Sequence, residues 1–144
     1  MIIDALQQFS GSSQALSGAG SVASTDVIDL GQERRIGNGE PMQIVVVATV
    51  ALAGTSPTFQ VALQSDDNSG FASPASVAQS PSLSSLAAGG RVVVPVPQGA
   101  LNERYIRLNY TLGGTSPSVT VKAFLQPVNM TDAFAGYPSG YVIS

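Results

Sequence analysis

Residues 104–126 read RYIRLNYTLGGTSPSVTVKAFLQ, and few folds admit such a stretch. Ile106, Leu108, Tyr110 and Leu112 fall on one side of the first run, with Tyr105, Arg107, Asn109 and Thr111 on the other. In the second run Val119, Val121, Ala123 and Leu125 share a face opposite Ser118, Thr120 and Lys122. Alternation with a period of two marks strands with one buried and one wetter face. Between the runs stands Gly113-Gly114-Thr115-Ser116-Pro117. Glycines permit positive φ and proline cannot donate to a ladder, so the spacing predicts a β-hairpin that reverses here.

The device occurs twice. Gly54-Thr55-Ser56-Pro57 separates the apolar run 43–52 from residues 58–64, where Phe59, Val61 and Leu63 alternate with Gln60, Ala62 and Gln64. The second GTSP follows 60 positions later, with Leu52 answered by Leu112 and Val61 by Val121. An internally duplicated hairpin and two hairpins with convergent turn chemistry both fit.

The remaining chain supplies more strands and little helix. Residues 22–30 read as a strand, and residues 31–41 as a polar connection with a tight turn at Gly37-Asn38-Gly39. The run IVVVATV within residues 42–52 alternates little, as in a strand covered on both faces. Residues 65–90 form a Ser-, Ala- and Pro-rich excursion, with a short strand expected at 76–79 and a turn or short helix at 83–88. Residues 91–96 restore a strand whose end is marked by Pro95 and Pro97. A further strand over 141–143 brings the count to seven or eight. The expected class is all-β: an antiparallel β-sandwich, jelly-roll or Ig-like, with extended N- and C-terminal arms. The division is an arm over 1–20, a sandwich over 21–126 and a tail over 127–144.

A chain of 144 residues is one domain's worth and buries about 68–70% of its unfolded surface without a crosslink. It has no Cys, His or Trp. The lack of Cys fits assembly inside a cell, and equally any protein stable without disulfides. Charged residues make up 10% of the chain, against roughly 25% in average soluble proteins, so little charge opposes association. The net charge of −3 and the dispersed cations argue against nucleic acid as a partner. The longest apolar run, residues 44–53, is about half of the roughly 20 residues a membrane span needs. The opening Met1-Ile2-Ile3-Asp4 lacks a basic region, so no signal peptide is expected.

Chemistry finds little purchase. Without Cys or His a metal must use oxygen, and Asp66-Asp67-Asn68 lacks the alternating spacing of a Ca²⁺ loop; an Asx-type turn is expected instead. Serines have no His to act as base, and Lys122 lies mid-strand. Nothing pairs Asp26, Asp29, Glu33, Glu40 or Glu103 as acid and base. Neither Gly113-Gly114 nor Gly37-Asn38-Gly39 has the strand-to-helix setting of a phosphate loop. The expectation is no enzyme, no cofactor and no metal.

Partner contact is a better fit. Ile2, Ile3, Leu6 and Phe9 form an apolar tip on a Ser/Gly-rich base, an arm able to reach a neighbour or fold back on its own core. Arg34 and Arg35 lie in the densest charge of the chain, where a solvated loop and a polar contact are the two readings. Phe134, Tyr137 and Tyr141 place three of nine aromatic residues in the last eleven positions. Aromatic side chains bring large contact area at low entropic cost.

Several stretches taken together resemble capsid cement proteins of short-tailed bacteriophages: MIIDALQQFS, STDVIDLG at 24–31, GTSPTFQVALQSDDNSGFASP at 54–74, RYIRLNYTLGGTSP at 104–117 and YPSGY at 137–141. The resemblance implies a small jelly-roll-like decoration protein on the outer surface of a virion, assembled in the host cytoplasm. Its implied partners are the major capsid protein and further copies of itself, as homo-dimer or homo-trimer, with neither nucleic acid nor membrane. The alternative is a receptor- or glycan-binding module of a phage head or tail, with residues 65–90 forming the site.

Overall fold

The computed structural model describes residues 5–32 and 41–128. Its strands are β1 (Gln14–Ser17), β2 (Gly20–Ala23), β3 (Ile28–Asp29), β4 (Met42–Asp66), β5 (Ala75–Gln79), β6 (Arg91–Pro95) and β7 (Tyr105–Pro127), with a 3₁₀ turn at Ala5–Gln7. All pairings are antiparallel within one sheet. The chain is all-β, as its periodicity predicts.

The two expected hairpins do not form. Residues 43–53 pair with residues 118–126, and residues 58–64 with 107–113. Thus β4 and β7 run antiparallel to each other from end to end. The two GTSP segments meet across this ribbon, with Thr55 opposite Thr115. The pairs Ala53–Ser118 and Thr58–Gly113 lie either side and exchange under the 60-residue offset, so the crossing has local two-fold character. Successive register shifts between Ala48 and Thr58 interrupt the ladder there. Bulges bend strands, and strands that pass from one sheet of a sandwich to the other do so at such corners.

The glycines are needed at the corner. Gly54 and Gly114 have φ of 131° and 98°, while Ser56 and Ser116 take left-handed values of 47° and 50°. A Cβ on Gly114 would stand 2.5 Å from the carbonyl oxygen of Ser56. The turn chemistry was legible; a corner in each of two long strands, rather than two reversals, is what it serves.

Dividing β4 and β7 at the corner gives two half-sheets. One has the order β1, the C-terminal half of β7, the N-terminal half of β4, then β6. The other has β2, the N-terminal half of β7, the C-terminal half of β4, then β5. The two long strands β4 and β7 each contribute one half to either half-sheet, as strands do that pass between the sheets of a sandwich. Ile44, Val46, Val121 and Ala123 from the first share one core with Phe59, Val61, Leu108 and Tyr110 from the second. The faces inferred from alternation are the faces buried.

The N-terminal segment binds the halves together. Phe9 is fully buried; its N–H donates to Ala123 of the first half-sheet, and its carbonyl accepts from Asp26 beside β3 of the second. The Ser10 hydroxyl lies 2.8 Å from the Tyr110 hydroxyl. Burial pushes the Tyr110 phenol well above its ordinary pKa, against the lowering effect of Ser10. Residues 8–20, expected within an arm, therefore belong to the sandwich: Gln8 bridges Phe124, and β1 pairs with β7.

Smaller differences have local causes. The expected strand over 22–30 is broken by Ser24, whose hydroxyl donates to the Asp26 carbonyl, leaving β2 and β3 separate. Residues 83–88 form no helix, because the Leu83 N–H and carbonyl are taken by Phe59, and Leu86 accepts from Leu52.

Candidate interaction surfaces

No helix of the described residues is long and apolar enough to cross a membrane, and no group of three His, Cys, Asp or Glu among them could hold a metal ion. The one acidic run forms the expected Asx turn: the Asp66 carboxylate accepts from the amides of Asn68 and Ser73, at 2.9 Å each. The Asn68 contact leads in holding the Asp66 carboxyl below its ordinary pKa range. Arg107 donates to Gln64 and sets its guanidinium 4.2 Å above the Phe71 ring. The 65–90 excursion is thereby tied down through its turn and its one aromatic ring. Burying Phe71 removes the flat face a sugar would stack on.

Asp29 and Arg104 form a two-pronged ion pair, with contacts of 2.8 and 2.9 Å. The Arg104 hydrogen bond, helped by the Gly31 amide, lowers the Asp29 pKa to about 2. Both side chains are more than 40% exposed, so the pair contributes little stability. Asp29 also lines a shallow depression of about 300 Å³, together with Leu6, Gln8, Asp26, Val27 and Ile28.

Of the residues expected to meet partners, Leu6 is 80% exposed at this depression, but Phe9 is enclosed in the chain's own core and offers no surface. Ile2, Ile3, Arg34, Arg35, Phe134, Tyr137 and Tyr141 lie outside the described residues.

One feature escaped the sequence reading, and a second was foreseen only in part. The sheet margins β1, β2 and β5 are QALS, GSVA and ASVAQ, without one charge. β6, by contrast, carries Arg91 and Pro95, and β3 carries Asp29. Short uncharged segments in a Ser-rich sequence are inconspicuous; only the pairing reveals them as edges. The second feature is a buried patch on the outer side of the first half-sheet. There Val45, Val47 and Phe124 form an apolar cluster separate from the main core. Gln43 and Gln126, opposite each other in register, are buried beside it. The near-continuous apolar run over 42–52 leads to an expectation of cover on both faces, which is met at 43–48 but not at Val50, 58% exposed.

The Bbp16 family model matches residues 10–125, about four-fifths of the chain. The chain belongs to the Bbp16 family. The Bbp16 match begins just after Phe9 and takes in β1 to β6 and nearly all of β7. No curated protein matches the chain.

Proposed function

We propose that this Bbp16-family chain is a structural virion protein, a cement or decoration protein on the outer surface of a phage head. It assembles in the host cytoplasm, binds the major capsid protein as a homo-dimer or homo-trimer, and reinforces contacts between capsid subunits. The observation that carries this reading is the state of the sheet margins. Proteins that live alone blunt their edge strands with charge, proline or bulges, because a bare edge pairs with other chains. Here three margins are uncharged, and Val22, Val50 and Val93 are exposed on the strands, Val50 at 58%. Such a surface suits permanent cover by a partner.

The sequence resemblance supports the same reading, and no constellation of reactive groups among the described residues competes with it. To test it, heads assembled with and without the protein are heated and their DNA release is followed. The expected result is release at lower temperature without it; identical release curves would oppose the assignment.

A further inference from the structure

We infer that the edge made by β1 and β2, residues 14–23, pairs with the same edge of a second copy about a two-fold axis, β1 of each copy beside β2 of the other. This names the self-contact of the proposed homo-oligomer, and rests on that reading.

Three observations converge. First, β1 and β2 succeed each other along one side of β7, against residues 118–121 and 109–112, while β4 takes the other side. The amides of Gly18 and Ser24 donate to Pro117 and Leu108 of β7. Successive residues of an antiparallel strand turn their N–H and C=O groups to opposite sides. Those of Ala15, Ser17 and Ser21 therefore face outward, where no described strand pairs with them. All three residues are exposed. Val22, opposite Tyr110 in register, is still 38% exposed at this open flank. A neighbouring strand would satisfy these groups and cover Val22.

Second, the edge is bent, and there is room at the bend. Between β1 and β2 the chain passes through Gly18 and Gly20, with φ of 83° and 133°. A Cβ on either would meet nothing within 4 Å, which leaves space for another backbone. The bend lets β1 follow the first half-sheet and β2 the second. A straight strand could pair with one arm only, whereas a second copy carries the matching bend. The required geometry exists within the chain: β4 and β7 pair antiparallel round their corner, each in both half-sheets, with local two-fold character.

Third, the charge pattern suits a surface that faces itself. A two-fold contact brings the same patch together twice, so a charge on it meets its like. Residues 5–25 hold no charged side chain. The margin at β6, by contrast, carries Arg91 and ends in Pro95.

Two measurements on the free full-length protein need no heads, so they stand or fall separately from capsid binding. In sedimentation the chain is expected at twice the mass of one copy. Ser17→Lys with Ser21→Lys sets the lysines of one copy beside those of the other. The dimer is then expected to weaken by about tenfold or more, with the β-sheet circular dichroism retained. The chain has no cysteine, so Ala19→Cys places a unique thiol near the axis. Mild oxidation is expected to link most of this variant into disulfide dimers, while Ser76→Cys on β5 stays unlinked. A monomer at every concentration, a trimer, or a dimer that the two lysines leave unchanged overturns the inference. So does Ala19→Cys that fails to link, or links no better than Ser76→Cys. A dimer that passes both tests yet never binds heads would contradict the capsid reading alone.

Discussion

At the scale of single residues, the corner and the Phe9 junction carry most of what is specific to this chain. Gly114→Ala brings a Cβ against the Ser56 carbonyl at a φ of 98°. The expected loss is about 1–3 kcal/mol by urea denaturation. Gly89→Ala, at a φ of 81° but facing open space, is expected to cost about 1 kcal/mol, since it meets the backbone preference alone. Two titrations add a pH signature. Asp29 has a folded pKa of about 2, below its unfolded value, so its contribution is present above about pH 4 and fades as acid passes through that window. Asp29→Asn should flatten the acid limb of a stability profile there. Tyr110 is shifted the other way. Its contribution is whole below about pH 10, the unfolded phenol value, and declines as pH rises beyond it. Tyr110→Phe should flatten the alkaline limb, at a cost near neutrality of about 1 kcal/mol for the lost Ser10 contact.

Between elements, two half-sheets are held by a bent ribbon and pinned by Phe9. Phe9→Ala removes a fully buried ring from the junction, and the expected cost is about 3–5 kcal/mol in denaturant. An exposed arm residue would have cost almost nothing, so this measurement separates the two views of the N-terminal segment. The margins give the complementary test. Ser76→Lys adds charge to the exposed, uncharged edge of β5 and should change stability by no more than about 0.5 kcal/mol. Weaker self-association or head binding, read by sedimentation, is the expected effect. These elements also show what could be read from residue order. Alternation in β4 and β7 named the inward faces correctly, because a buried side with a period of two leaves one answer. Whether GTSP turns the chain back beside itself or carries it round a corner depends on which distant strand pairs where. The local residues serve both geometries equally. Phe9 was misplaced for a similar reason: its apolar neighbours were visible, but the gap between half-sheets that receives it belongs to the tertiary fold.

For the whole molecule, the antiparallel sandwich leaves a protein whose described surface offers uncharged edges and exposed valines. The fold class was accessible from periodicity and turns, and the Bbp16 match over residues 10–125 agrees with its extent. Contact sites were less accessible, because the margins declare themselves only once strands are paired, and Gln43 meets Gln126 across 83 positions of sequence. The proposed role of this chain is to fit a head exterior. Co-sedimentation of the purified protein with intact heads that lack it tests this most directly. Saturable binding at a fixed ratio to the major capsid protein, reduced by Ser76→Lys, is predicted; a folded protein that stays in the supernatant at every concentration would contradict the account.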